Sequence, residues 1–330
     1  MMELLAIKSR EGLVKRIGGC HRYLRWGLIV FILSCGSAQA NTVRLLVSGE
    51  QNYYRETQQH FSSTLLALSP DTRIAVTVLG DSAEQNALLA PWPEDIIVTI
   101  GTPATELAYQ NRSGKKTINL FITSDVWQRL EGETPDQKNV ASVVLDQAPD
   151  RIMLLARILA PNARKAVTVT GPISSANIAA LEQSAANLNF TLAAKTLSEH
   201  DNPVAAMSPL IKNSDVFVAL PDSAVFNRAT AKWALYLGFR SKIPVIGFSK
   251  AYTDAGALAS IYASPSDIGR HGAELTADAL LETKAFSAGL HHPRYYTLHS
   301  NPSVAKALNI SLPNESALYK MYEDALVKRP

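Results

Sequence analysis

Serines, threonines and acids gather where the apolar runs of this chain stop. Ser48 and Glu50 follow Val43–Val47, Thr102 follows Asp95–Ile100, and Ser124 and Asp125 follow Thr117–Ile122. Further on, Ser174 and Ser175 come soon after Lys165–Thr170, and Asp222 and Ser223 come directly after Val216–Leu220 and Pro221. Several of these stand before helical patterns. A first helical turn exposes unpaired N–H groups and partial positive charge, which makes it a receptor for a carboxylate or another anion. Glu50, Asp125 and Asp222 are of the type that answers an ammonium. Tyr53, Tyr54, Trp127, Phe226, Phe248 and Tyr252 are able to pack an apolar body or sit on a cation. Together they suit a zwitterionic small molecule in a cleft. The plainer alternative is that each Ser, Thr or Asp is an N-cap, contributing about 1 kcal/mol to stability. Asp222 and Ser223 stand out because they close a wholly apolar strand. Tyr252 divides evenly between pocket wall and loop packing.

Signatures of catalysis are scarce. The chain has no G-x-S-x-G, H-E-x-x-H, phosphate-binding P-loop or G-x-G-x-x-G after a strand. Among its histidines only His291-His292, with His299, form a group, and adjacent residues rarely face one metal. A surface loop is the expectation for that pair, and the exposed side of a helix for His271. No enzyme activity, metal or cofactor is expected.

The elements that would position these groups alternate between strand and helix. Strand patterns at Val43–Val47, Ile74–Leu79, Asp95–Ile100, Thr117–Ile122 and Val140–Leu145 form a first round, separated by helical patterns. In it, Gly101-Thr102-Pro103 suggests Thr102 as an N-cap with Pro103 in the first turn. A break at Gln147-Ala148-Pro149 precedes a second round: Lys165–Thr170, Thr191–Leu197, Val216–Leu220, Ile243–Phe248 and Ala257–Tyr262. The helix between the third and fourth of these places Val225, Ala229, Trp233 and Leu237 on one apolar face, which predicts Trp233 in the core. The helix after the fifth opens with a capping box, Ser264 with Asp267. A late strand at Tyr295–Leu298 and a helical tail complete the chain. Two such rounds define an α/β fold of two doubly wound lobes. The expected lobes are 41–147 with a return segment at 266–292, and 148–265 with the tail 293–330.

Residues 1–40 read as a secretory leader. A basic stretch, the apolar run Trp26–Leu33 and Ala38-Gln39-Ala40 follow in that order, so cleavage is expected after Ala40 and the destination is the periplasm. Ile32-Leu33-Ser34-Cys35 offers the alternative of a lipid anchor at Cys35. The whole chain of 330 residues has a net charge of +3, but six of its 32 basic and two of its 29 acidic residues lie in this leader. The remainder carries 26 against 27, a net −1, and no clustered lysines or arginines of the kind nucleic-acid binding needs. Both cysteines, Cys20 and Cys35, also lie in the leader.

Longer motifs run through both rounds: IGTPATELA (Ile100–Ala108), KNVASVVLD (Lys138–Asp146), LLARILAPNARKAVTVTGP (Leu154–Pro172), VALPDSAVFN, KIPVIGFS, DAGALAS, SDIGRHGAELTADALL and NPSVAKALNISLP (Asn301–Pro313). In order and spacing the chain resembles the ABC-transporter substrate-binding proteins related to the tryptophan/tyrosine-binding group, with a type I periplasmic-binding fold. The resemblance implies two lobes, a hinge of crossing strands and a ligand between them, an ABC permease and ATPase as partners, and a monomer. It maps the pocket onto Ser48–Glu50, Gly101-Thr102-Pro103, Thr123-Ser124-Asp125, Gly171–Ser175, Pro221-Asp222-Ser223 and Phe248–Tyr252. Two places depart from the family. Ser124-Asp125-Val126-Trp127 stands where an Asp-Pro and Gly-rich residues are usual, and Gly171-Pro172 where Asn-Pro is usual. An aromatic amino acid is therefore not carried over as ligand. A periplasmic sensor or adaptor signalling to a membrane receptor is the alternative function.

Overall fold

The computed structural model of the protein describes residues 41–80, 92–111, 114–133, 137–198, 200–222, 225, 227–281 and 285–328. The expected leader, with Cys35 and Ala40, lies outside them, as do Ser223 and Phe226.

The first half runs β1 (Thr42–Val47), α1 (Asn52–Leu68), β2 (Arg73–Val78), β3 (Ile96–Ile100), α2 (Thr102–Asn111), β4 (Lys116–Ile122), α3 (Ser124–Glu133) and β5 (Val140–Val144). The second half runs α4 (Pro149–Leu159), β6 (Lys165–Thr170), α5 (Ile178–Asn187), β7 (Thr191–Thr196), α6 (Pro203–Lys212), β8 (Val216–Val218), α7 (Arg228–Ser241), β9 (Val245–Gly247), α8 (Lys250–Asp254) and β10 (Ala259–Tyr262). Then come α9 (Pro265–Leu281), β11 (Gly289–His291), β12 (Thr297–Ser300), α10 (Pro302–Leu308) and α11 (Glu315–Val327).

The strands form two six-stranded sheets, ordered β11-β5-β4-β3-β1-β2 and β12-β10-β9-β8-β6-β7. Every pairing is parallel except that of β12 with β10. Parallel strands are covered on both faces, so they read as continuous apolar runs. All five residues of β3 and all five of β5 are buried accordingly. Each sheet repeats one doubly wound order, with the direction of winding reversing between β1 and β3 in one and between β6 and β8 in the other.

The chain passes between the sheets three times: after β5, after β10 and after β11. The second passage starts with the expected capping box. Ser264 N and Oγ donate to Asp267 Oδ2, at 2.9 and 2.8 Å, and Asp267 N donates back to Ser264 Oγ at 3.2 Å. Helix α9 then packs Ile268, Ala273, Leu275 and Ala279 into the core of the first sheet. It approaches α1 and β4 closely because Gly269 and Gly272 carry no side chain. A Cβ would come within 2.4 Å of Thr57 O at the first and of Leu120 Cδ2 at the second. The third passage is fastened by Arg151 of α4, which donates to Pro293 O at 2.6 Å and lies over the Tyr296 ring. Tyr322 of α11 closes the group by donating its hydroxyl to Arg151 O at 2.9 Å.

Three expectations are corrected. Trp233 is 46% exposed, and Tyr236 and Phe239 lie on the solvent side with it. Helix α7 turns Thr230, Ala234, Leu235 and Gly238 inward instead. These share the helical spacing of the expected face but are mostly small, and a Cβ at Gly238 would meet Val245 at 2.6 Å. His271 is 4% exposed rather than on the open side of α9. His291, expected in a loop, is the last residue of β11, a three-residue strand too short to leave a periodic signal.

Candidate functional site

In open sheets of this winding, ligands bind beyond the carboxyl ends of the strands, at the point where the order reverses. In the first sheet those ends carry Ser48 and Gly101. Ser48 Oγ accepts from Ala104 N at 2.9 Å, so it caps α2 from the neighbouring strand. Gly101, at φ 89°, accepts Thr105 N through its carbonyl and holds the N-cap place expected for Thr102. Thr102 begins the helix itself. Glu50 is exposed. Beside these ends Phe121 adopts φ 60° at an irregularity in the β4–β5 ladder, and its ring stacks on Tyr53 at 5.3 Å.

In the second sheet the strand ends carry Gly171–Ser174 and Pro221-Asp222. Asp222 is 3% exposed. Its Oδ2 accepts from Gly171 N at 3.0 Å, Ser174 N at 2.8 Å and Ser174 Oγ at 2.8 Å, while Oδ1 accepts from Val225 N at 3.3 Å. Asp222 therefore ties the two strand-end loops together, and its carboxylate is turned into them. Ser175 donates to Pro172 O at 3.3 Å. Tyr252 is buried in the core with Val167, Phe217 and Val245, and burial raises its phenol well above the usual range. Loop packing, not a pocket wall, is its place.

A cavity of about 370 Å³ lies between the two sheets. The first half gives it Thr123 and Ser124; the second gives Ile173, Ser174, Asn177, Leu181, Leu220, Pro221, Phe248 and Ser249. All three passages between the sheets contribute as well, through Leu145, Asp146 and Gln147, through Tyr262 and Ala263, and through His292. The wall is mainly apolar with a few polar groups, as small-molecule sites are. A hydrogen bond spans it: Asn177 Nδ2 donates to Ser124 Oγ at 3.3 Å.

The polar groups are held from behind. Ser124 N, at the start of α3, donates to Asp146 Oδ2 at 2.6 Å. Loss of solvent raises the Asp146 carboxyl; the Ser124 bond opposes that and the charge of Asp125 adds to it. His292 Nδ1 meets the Asp146 carbonyl at 2.8 Å, which fixes Nδ1 as the donor because a carbonyl only accepts. Gln147 is 6% exposed, and its Oε1 accepts from Arg151 at 3.2 Å. Its Nε2 is buried without a protein partner. Such a donor is costly to leave unmade and points to a partner brought by something else.

Of the residues expected from sequence, Ser124 and Ser174 line the cavity, together with Thr123, Ile173, Pro221, Phe248 and Ser249 from the mapped segments. Ser48, Glu50, Thr102, Asp125, Ser175, Asp222 and Tyr252 do not, and Ser223 lies outside the described residues. Asp146, Gln147, Asn177 and His292 are the polar residues the sequence reading passed over. Asp146 falls under the strand-end rule, since it comes two residues after β5.

Two sheets of one winding order, three passages and a cavity at the hinge define a type I periplasmic-binding fold. A family model described as ABC transporter substrate binding protein matches residues 81–321, and the chain belongs to that family. Solved structures show the same fold. A substrate-binding protein with adhesive properties from Clostridium difficile, in its ligand-free, open form, is 18% identical (TM-score 0.65; 83% of this chain, 96% of that one). An ABC domain from Streptococcus pneumoniae in complex with L-Trp is 17% identical (TM-score 0.57; 86% and 98%). A conserved domain protein from Vibrio cholerae is 22% identical (TM-score 0.55; 86% and 98%). No curated protein matches the chain.

Proposed function

We propose that this protein is a periplasmic solute-binding protein that holds a small molecule in the cleft between its lobes and delivers it to an ABC permease and ATPase. The observation that carries this reading is the hinge cavity, walled by both halves and by all three passages. A ligand touching both halves favours their closed arrangement by its differential affinity for it, and closure presents a joined surface to a membrane partner. The exported destination rests on the leader at residues 1–40, with cleavage after Ala40, and the protein acts as a monomer without catalytic turnover. The lobes are 41–147 with 266–292, and 148–265 with 293–330.

Reconstitution tests the transport role. The cognate permease in proteoliposomes should hydrolyse ATP faster with the loaded protein than with the empty one. A loaded protein that leaves hydrolysis unchanged, while binding a membrane receptor, would replace delivery with sensing.

A further inference from the structure

An anion entering a cleft of this fold would be drawn to the N-terminus of α3, where unpaired N–H groups point outward. The chain brings its own anion there. Asp146 accepts from Ser124 N, and the two residues line the cavity side by side. No lysine or arginine lines the cavity among the described residues. A ligand carboxylate would find Ser124 N already taken, a carboxyl group beside it and no lysine or arginine; among the described residues His292 is the one basic side chain in the wall, and it lies beside Asp146.

The rest of the polar wall is rich in acceptors. Asn177 gives one N–H of Nδ2 to Ser124, and its carbonyl oxygen is an acceptor. His292, donating through Nδ1, offers Nε2 as an acceptor when neutral. Among the described residues that line the cavity, Gln147 Nε2 is a buried donor without a protein partner. Phe248 and Tyr262 add aromatic rings to the wall, a type of group that attracts a cation.

Resting on the solute-binding reading above, we propose that the cleft selects a small organic amine without a free carboxylate. Its ammonium meets Asp146, its apolar body lies against Ile152, Leu181 and Leu220, and an oxygen or ring nitrogen accepts from Gln147. A desolvated carboxyl beside the charge of Asp125 gains from a cation and loses from a further anion.

Thermal-shift measurements on the wild-type protein test this across charge classes: amines, zwitterionic amino acids, carboxylic acids and neutral alcohols and sugars. Tryptamine, L-tryptophan, indole-3-propionate and tryptophol hold the apolar body constant within the set. Amines should raise the melting temperature and the other classes should not. Asp146→Asn keeps an acceptor for Ser124 N and should weaken the best amine by roughly thirtyfold or more. A zwitterion, acid or neutral solute binding better than the amines would overturn the ligand class and leave the solute-binding reading standing. So would an Asp146→Asn protein that binds the amine as tightly as wild type. Absence of binding in every class would remove both readings together. The wild-type comparison stands even if the variant folds poorly.

Discussion

Asn177 Nδ2 and Ser124 Oγ meet at 3.3 Å, one side chain from each half of the molecule. A neutral bond of this kind contributes about 1 kcal/mol, a factor of about five between closed and open lobes. Asn177→Ala should therefore enlarge the radius of gyration of the ligand-free protein in small-angle scattering. Its unfolding free energy in urea should stay within about 0.5 kcal/mol of wild type, because the contact joins lobes and supports neither core. An unchanged radius would mean that the bond does not hold the halves together.

Asp222 supports the fold rather than the ligand. Asp222→Ala leaves Ser174 N and Ser174 Oγ buried without their acceptor and Gly171 N with only its longer bond to Ser174 Oγ, a loss of roughly 3 kcal/mol. Equilibrium unfolding should register it. Full stability in the variant, together with lost ligand affinity, would return the carboxylate to the binding site.

Arg157 is a hub at the far end of α4. It donates to Leu188 O at 3.0 and 2.7 Å, to Pro161 O at 2.9 Å and to Ala163 O at 2.9 Å, with its guanidinium 3.8 Å from the Phe190 ring centroid. A planar fork makes this set possible, and an ammonium cannot reproduce it. Arg157→Lys should lose most of what Arg157→Ala loses, about 2–4 kcal/mol in all. Near-complete rescue by lysine would show that charge alone matters there.

His271 makes stability depend on pH. Burial first, then the charges of Arg294, His291 and Arg151, lowers its imidazole from 6.5 to about 4, and its Nδ1 accepts from Arg294 N at 3.3 Å. The unfolded chain takes up the proton near its ordinary value, while the folded one does not until about pH 4. Stability from this group is therefore intact above about pH 6.5 and falls as the pH drops through that window. Between pH 7 and 4.5 the wild type should lose roughly 2 kcal/mol more than His271→Gln. Parallel pH profiles in urea unfolding would show that His271 is protonated in the folded state.

The alternation of strands and helices was legible because parallel strands buried on both faces must be apolar throughout, as β3 and β5 are. The capping box at Ser264 and Asp267 was legible because its bonds are local. Trp233 was not: two faces of α7 share one spacing, and the close approach of β9 at Gly238 selects the small one. Asp222 stands out in the sequence by its place after an apolar strand, yet its bonds go to Gly171 and Ser174, which only the folded loops bring near. Asp146, Gln147 and His292 come from separate passages between the sheets and share a cavity only in three dimensions. Ser124 and Ser174 were found because the strand-end rule applies within each half.

If the hinge cavity holds the ligand, filling it abolishes binding. Ala180 lines the cavity from the open side of α5, so Ala180→Trp adds bulk there without disturbing a core. Calorimetry would compare this variant with wild type, using the solute that most raises the wild-type melting temperature. Binding to the wild type at one site, lost in a folded Ala180→Trp protein, is the predicted result. Equal binding to both would place the ligand elsewhere.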